Sequence, residues 1–181
     1  VCLSDRGNLF ASLEFAQAAI KSKIQPIHGS ILNILFTNKG KPDFAEILLI
    51  SKDEQGYKNL LKLVSLTFTI NDRSTCNHIT FDDLEKYNEG IICMSACLKG
   101  SLPEALLYSG YATGQAVAEE YSSIFPGRYY IELQNHGIPE EIRNIELASK
   151  LAKDMGLPTI ATNDAHYARK EHHVAHDVHI C

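Results

Sequence analysis

Leu157-Pro-Thr-Ile-Ala-Thr-Asn-Asp-Ala-His-Tyr167 reads as a short strand, Thr159 to Ala161, that runs into a polar tip. Asp164 and His166 stand two residues apart in that tip. If the chain stays extended there, side chains at i and i+2 point to the same side, and a carboxylate converges with an imidazole. The carboxyl end of a strand is where α/β sheets and barrels place ligands and chemistry. Asp-x-His is also a donor pair suited to zinc or manganese. The competing reading is an Asp that caps the next helix beside a surface His.

The same pattern recurs upstream. Val1-Cys-Leu3 ends in Ser4-Asp5-Arg6-Gly7-Asn8, and Gly90–Met94 ends in Ser95-Ala-Cys97. Arg128–Leu133 ends in Gln134-Asn-His136-Gly137. Four strands therefore finish in groups capable of metal binding or acid/base work, with helical patterns between them. Asp5, Cys97, His136, Asp164 and His166 are expected to face one cleft.

The intervening periods fit a βαβ series. Leu9–Lys21 reads as a helix with Asn8 as N-cap and Leu13, Phe15, Ala16, Ala19 and Ile20 on one side. Gln25–His28 and Ile31–Phe36 are extended, Asn38–Pro42 is a turn cluster, and Phe44–Ser51 is a strand. Asp53 caps a helix to about Thr67 that presents Tyr57, Leu60, Leu61 and Val64, residues 70–78 read as a loop, and Thr80–Leu84 opens a short helix. Helical segments near 101–108 and 112–124 follow the 90–95 strand. After strand 128–134, Pro139 starts a helix that runs to Met155 before Gly156, and strand 159–162 follows. The fold class is α/β, with mostly parallel strands in an open sheet or a barrel. Tyr57 and Tyr130 read as core.

Composition narrows the class. The 181 residues suffice for one domain that buries roughly 70% of its unfolded surface. The chain starts at Val1, has no Met before Met94 and stops within an apolar run, so it reads as an internal piece of a longer protein. No apolar run approaches 18 residues, so export and a membrane span are not expected. Five cysteines without paired-ligand spacing (Cys2, Cys76, Cys93, Cys97, Cys181) suit reduced thiols in the cytoplasm, with Cys93 in the core. A net charge of −5 with scattered Lys and Arg argues against this segment as the main nucleic-acid surface. His172, His176 and His179 would share a helix face, read as a solvated or interface face rather than a metal site.

The chain resembles the polymerase-and-histidinol-phosphatase (PHP) domain found at the amino end of bacterial replicative DNA polymerases, the polymerase III alpha subunits. The words that carry the resemblance are Leu3-Ser-Asp-Arg-Gly-Asn-Leu9, Gln25-Pro-Ile-His-Gly29, Gly56-Tyr-Lys-Asn-Leu60, Lys62-Leu-Val-Ser65, Glu89-Gly-Ile-Ile92, Ser95–Gly100, Tyr130–Gln134, His136-Gly137, Ala161–Tyr167 and Ala175-His-Asp-Val178. They recur in order across nearly the whole chain. The resemblance implies a distorted seven-stranded β/α barrel, here without its first strand and helix, with a metal site at the carboxyl ends of the strands.

Active members of that family bind two or three metal ions with His, Asp, Glu and Cys side chains, which activate water against a phosphodiester. A His-x-His pair and an Asp would lie before Val1. Of six further ligand positions, Cys97, Asp164 and His166 match the family. Arg6 stands where the family has His, Ile31 where it has Glu, and Glu46 where it has His. Arg has no lone pair to donate and is permanently cationic, and Ile has no donor at all. Glu46 keeps a carboxylate oxygen. The resemblance thus implies a residual zinc or manganese site, weak or absent, with Arg6 free to pair with Asp164 or Glu46 as a buried ion pair. His136 is read as a wall of the cleft, and the role of His28 is left open.

Three functions compete. The first is a structural PHP domain of a replicative polymerase. Its parent would use magnesium, template-primer DNA and deoxynucleoside triphosphates, and would work with a sliding clamp, a proofreading exonuclease and other holoenzyme subunits. The second is an active metal-dependent 3′–5′ exonuclease in the same polypeptide. The third is a stand-alone phosphatase of the histidinol-phosphate type. Arg6 and Ile31 favour the first over the second, and the Gly56–Leu60 and Ser95–Gly100 words disfavour the third. No palm-type carboxylates are present in this segment, so it should not polymerise DNA itself.

Overall fold

The computed structural model describes residues 1–38, 41–69 and 76–180. It is a curled six-stranded sheet in sequential order with helices packed on its outer face. The strands are β1 (Cys2–Arg6), β2 (Ile27–Asn38), β3 (Lys41–Ser51), β4 (Ile91–Met94), β5 (Tyr129–Leu133) and β6 (Thr159–Ala161). The helices are α1 (Ser12–Lys21), α2 (Glu54–Thr69), α3 (Phe81–Tyr87), α4 (Ser101–Glu104), α5 (Tyr111–Ile124), α6 (Pro139–Met155) and α7 (His173–Ile180). A π-helical turn, Ala105–Ser109, extends α4, and a 3-10 turn, Lys170–His172, precedes α7.

The α/β class holds, but the series is not uniformly βαβ. β1–β2, β4–β5 and β5–β6 are parallel, whereas β3 is antiparallel to both β2 and β4. The cause is the hairpin at Asn38–Lys41, which connects β2 to β3 too tightly for a crossover helix. Residues 39 and 40 of that expected turn, and residues 70–75 of the expected loop, lie outside the described residues.

Alternation along each strand separates two apolar layers. Ala45, Ile47 and Leu49 of β3 join Leu32, Ile34, Ile91, Cys93, Tyr129 and Ile131 in the main core beneath the helices. Leu48, Ile50 and Met94 face the other way, into the curl, with Ile31, Tyr130 and Ile160 beside them. Glu46 is in phase with Leu48 and Ile50, and Glu132 is in phase with Tyr130, so pleating alone sends both acids inward. Tyr130 and Tyr57 are only partly buried, which corrects their reading as core. Tyr57 meets His28 in a tilted ring contact, 5.3 Å between centroids, and burial pushes the His28 pKa down.

Several local expectations change. Asn8 does not cap α1: its Oδ1 accepts from the Phe10 amide at 3.1 Å in an Asx turn, and the helix begins at Ser12. Only Ala19 of the expected apolar face is buried; Leu13 and Ile20 are exposed. In α2 the buried stripe uses Leu60, Leu63 and Val64, and Leu61 turns outward. Asp53 does cap α2, accepting from the Gly56 amide at 2.9 Å. Thr80 and Asp83 close a full capping box on α3. Gly156 ends α6 in the left-handed region, φ 67°.

One close approach fixes α2 on the sheet. A Cβ on Gly56 would lie 1.8 Å from the Gly90 carbonyl oxygen, and Gly90 itself sits at φ +69°. Only glycine fits either position.

Candidate functional site

The curl encloses a cleft of about 910 Å³. It collects the tips that the sequence singled out: Asp5, Arg6, Ile31, Glu46, Cys97, His136, Asp164 and His166 all line it. β3 runs against its neighbours, so Glu46 enters from mid-strand rather than from a carboxyl end. Its amide bonds to the Lys99 carbonyl at 2.8 Å, which draws the Cys97–Gly100 loop alongside.

Arg6 organises the acids. Its guanidinium donates to Glu46 Oε1, and its Nη2 lies 3.6 Å from Asp164 Oδ2. Lys99 Nζ stands 3.8 Å from the same Glu46 oxygen. The contact ties β1 to β3 and to the segment after β6. The pairs are not buried as expected: the Arg6, Glu46 and Asp164 side chains are 40%, 18% and 35% exposed. Ile31 contributes hydrocarbon to the wall.

Asp164 and His166 do converge, with Nε2 3.4 Å from Oδ2. The route differs from the expected pleat. Asp164 adopts φ +43°, a left-handed turn, rather than continuing the strand. On its far side His166 stacks with His176, centroids 5.3 Å apart. His172 falls in the 3-10 turn, not on α7 with His176, and the side chain of His179 lies outside the described residues. Among the described residues, no group of three or more His, Cys, Asp or Glu side chains is placed to hold a metal ion.

Two acids escaped the sequence reading. Glu132, 3% exposed, accepts from Thr162 Oγ1 and from Gln134 Nε2 at 3.1 Å. Burial pushes its carboxyl up despite those two bonds, and the nearby Asp164 and Glu46 charges add to the rise. Glu141, 3% exposed in the first turn of α6, takes the His136 backbone N–H at 2.6 Å and the His136 ring at 2.8 Å. Burial would raise the Glu141 carboxyl, but the His136 bonds outweigh it and hold it low. An acid inside the apolar run 129–133 was the available signal for Glu132. Glu141 looked like an ordinary helix-dipole residue. Burial pushes the Cys97 thiol up, and Glu141 and Glu132 reinforce the shift.

The PHP domain family matches residues 1–136, three quarters of the chain. The chain belongs to the PHP family. Residues carrying the PHP match include β1 to β5 and most of the cleft wall. Over its whole length this PHP chain is 47% identical to the DNA polymerase III subunit alpha of Rickettsia bellii (strain RML369-C). It is 35% identical to that of Borreliella burgdorferi (strain ATCC 35210 / DSM 4680 / CIP 102532 / B31) over its whole length, and 32% to that of Thermus aquaticus over 98% of it. The chain spans about 15% of the length of the Rickettsia bellii and Thermus aquaticus relatives and 16% of the Borreliella burgdorferi one. No helix among the described residues is long and apolar enough to cross a membrane.

Proposed function

We propose that this PHP domain serves a replicative DNA polymerase as a structural module rather than as a hydrolase. End-to-end similarity to polymerase III alpha subunits supports the parent activity, primer extension from deoxynucleoside triphosphates on template-primer DNA with magnesium in a downstream palm. It likewise favours cytoplasmic work with a sliding clamp, a separate proofreading exonuclease and other holoenzyme subunits over a stand-alone phosphatase.

The observation that carries the structural role is the Arg6–Glu46 contact, with Asp164 3.6 Å away. A fixed guanidinium stands among the oxygens that a zinc or manganese cluster would need. Ile31 supplies no donor. These donors do not fit a multi-metal cluster, and Arg6 would repel a dication. The second reading, an active exonuclease, rests on Cys97, Asp164 and His166 lining one cleft.

Metal analysis and a 3′–5′ exonuclease assay on the purified full-length polymerase decide between them. The structural role expects less than one tightly held transition metal per chain and no exonuclease activity sensitive to Asp164→Ala. Two or more tightly held ions, with activity abolished by that substitution, would establish the hydrolase instead.

A further inference from the structure

The segment that carries Asp164 is fastened by one face of the β5 extension. Glu132, Gln134 and His136 follow at i, i+2 and i+4. The first two hold the Thr162 hydroxyl, Gln134 at 3.0 Å, and His136 Nε2 lies 2.9 Å from the Asn163 carbonyl oxygen. The other His136 ring nitrogen, Nδ1, lies 2.8 Å from Glu141 Oε1.

Both neighbours of the ring are acceptors. A backbone carbonyl has no proton, and Glu141 is held ionised by the bonds it accepts from His136. A neutral imidazole has one N–H, so it satisfies one contact and sets lone pair against lone pair at the other. Imidazolium donates to both. The titratable groups around the ring point the same way: Glu141 from α6 and Asp164 from the β6 tip favour the cation, and the Cys97 thiol beyond Glu141 carries no charge.

We infer that His136 is a protonation-gated clasp: as imidazolium it fastens the Asn163 end of the Asp164–His166 tip to the first turn of α6, and loss of the proton frees that end. The inference does not depend on the proposed structural role or on metal in the cleft. The Glu141 hydrogen bond, then the Asn163 carbonyl, raise the His136 pKa above its ordinary 6.5. A group raised on folding contributes fully below its ordinary value and loses that contribution as pH rises through the higher, folded value. Opening of the tip therefore increases about tenfold for each unit by which the clasp raises the pKa.

Hydrogen exchange of the full-length protein, followed by mass spectrometry in peptides covering residues 162–166 and corrected for intrinsic exchange, tests this. Protection of the Thr162 amide, which donates to the Leu133 carbonyl at 3.1 Å, should be greatest near pH 6 and fall as pH rises above the ordinary imidazole value, while peptides from α5 stay protected. His136→Gln should remove the pH step, and Glu141→Gln should move it to lower pH. If a variant fails to fold, the wild-type profile still decides. Flat wild-type protection across that range, or an unchanged step in His136→Gln, would overturn the clasp.

Discussion

Arg6 donates to Glu46 across an intervening strand: β2 lies between β1 and β3, and Arg6 registers with Ile31 on it. The pair thus reaches over Ile31, which contributes hydrocarbon to the cleft wall. It joins the edge strand of the sheet to its middle. Through Asp164, 3.6 Å away, it also reaches the opposite edge at β6. One guanidinium thus lies within reach of acids from the middle of the curled sheet and from its far edge.

Removing that cation should cost little. Arg6→Met leaves Glu46 with Lys99, and water reaches all three side chains. A loss of about 1 kcal/mol or less is expected in urea unfolding, shrinking further in high salt. Asp164→Ala should behave similarly, well short of the roughly 3–5 kcal/mol typical of a fully buried pair. A salt-independent loss of that larger size would mean the pair is effectively desolvated.

Gly56→Ala should be far more damaging. The new Cβ would meet the Gly90 carbonyl at 1.8 Å, and backbone on both sides prevents a small adjustment. Overpacking of this kind costs about 1–3 kcal/mol, at the upper end here. The midpoint of urea unfolding should fall accordingly, and a change under a few tenths would contradict the packing described.

Thr80→Ala removes the hydroxyl that accepts from the Asp83 amide at 3.2 Å and opens the capping box of α3. The expected loss is about 1 kcal/mol. Restoring the cap with Thr80→Ser should recover most of it in the same thermal unfolding measurement.

Glu132 offers a pH test with a definite sign. Its folded pKa is raised, so the neutral carboxyl is the better-tolerated form. Its contribution is fully present below its ordinary value of 4.5 and is lost as pH rises through the raised one. Glu132→Gln should therefore stabilise the fold at neutral pH, and that advantage should fade on acidification. Paired unfolding curves at neutral and acidic pH measure it; an advantage that grows in acid would reverse the assignment.

Chelation should leave the domain unchanged. A metal bound to the native state stabilises by an amount that rises with its concentration over Kd. Dialysis against a chelator, or addition of manganese, should move the domain's unfolding midpoint by no more than experimental error. A rise that grows with manganese concentration would contradict a cleft closed by Arg6.

The local alphabet of this fold was legible in the chain. The strand at 159–161, the helix from Pro139 to Met155 and the Asp53 cap follow from side-chain period, proline and glycine placement, and short-range hydrogen bonds. Those forces act within a few residues, so a linear reading captures them. The cleft membership of Cys97, Asp164 and His166 was also visible, because each follows an apolar run. Other features were decided only by packing. The reversal of β3 was implicit in the turn cluster at 38–42, too short for a crossover, but its antiparallel pairing with β4 was decided by how the sheet assembles. Burial of Glu132 depends on Thr162 arriving from 30 residues away to bond it, and burial of Glu141 depends on α6 packing against the end of β5, where His136 meets it. The turn of Asp164 into the left-handed region, and the choice of Glu46 as the main partner of Arg6, are long-range outcomes too. Ion pairs form between groups that the curl of the sheet brings within reach, and sequence separation says nothing about that distance.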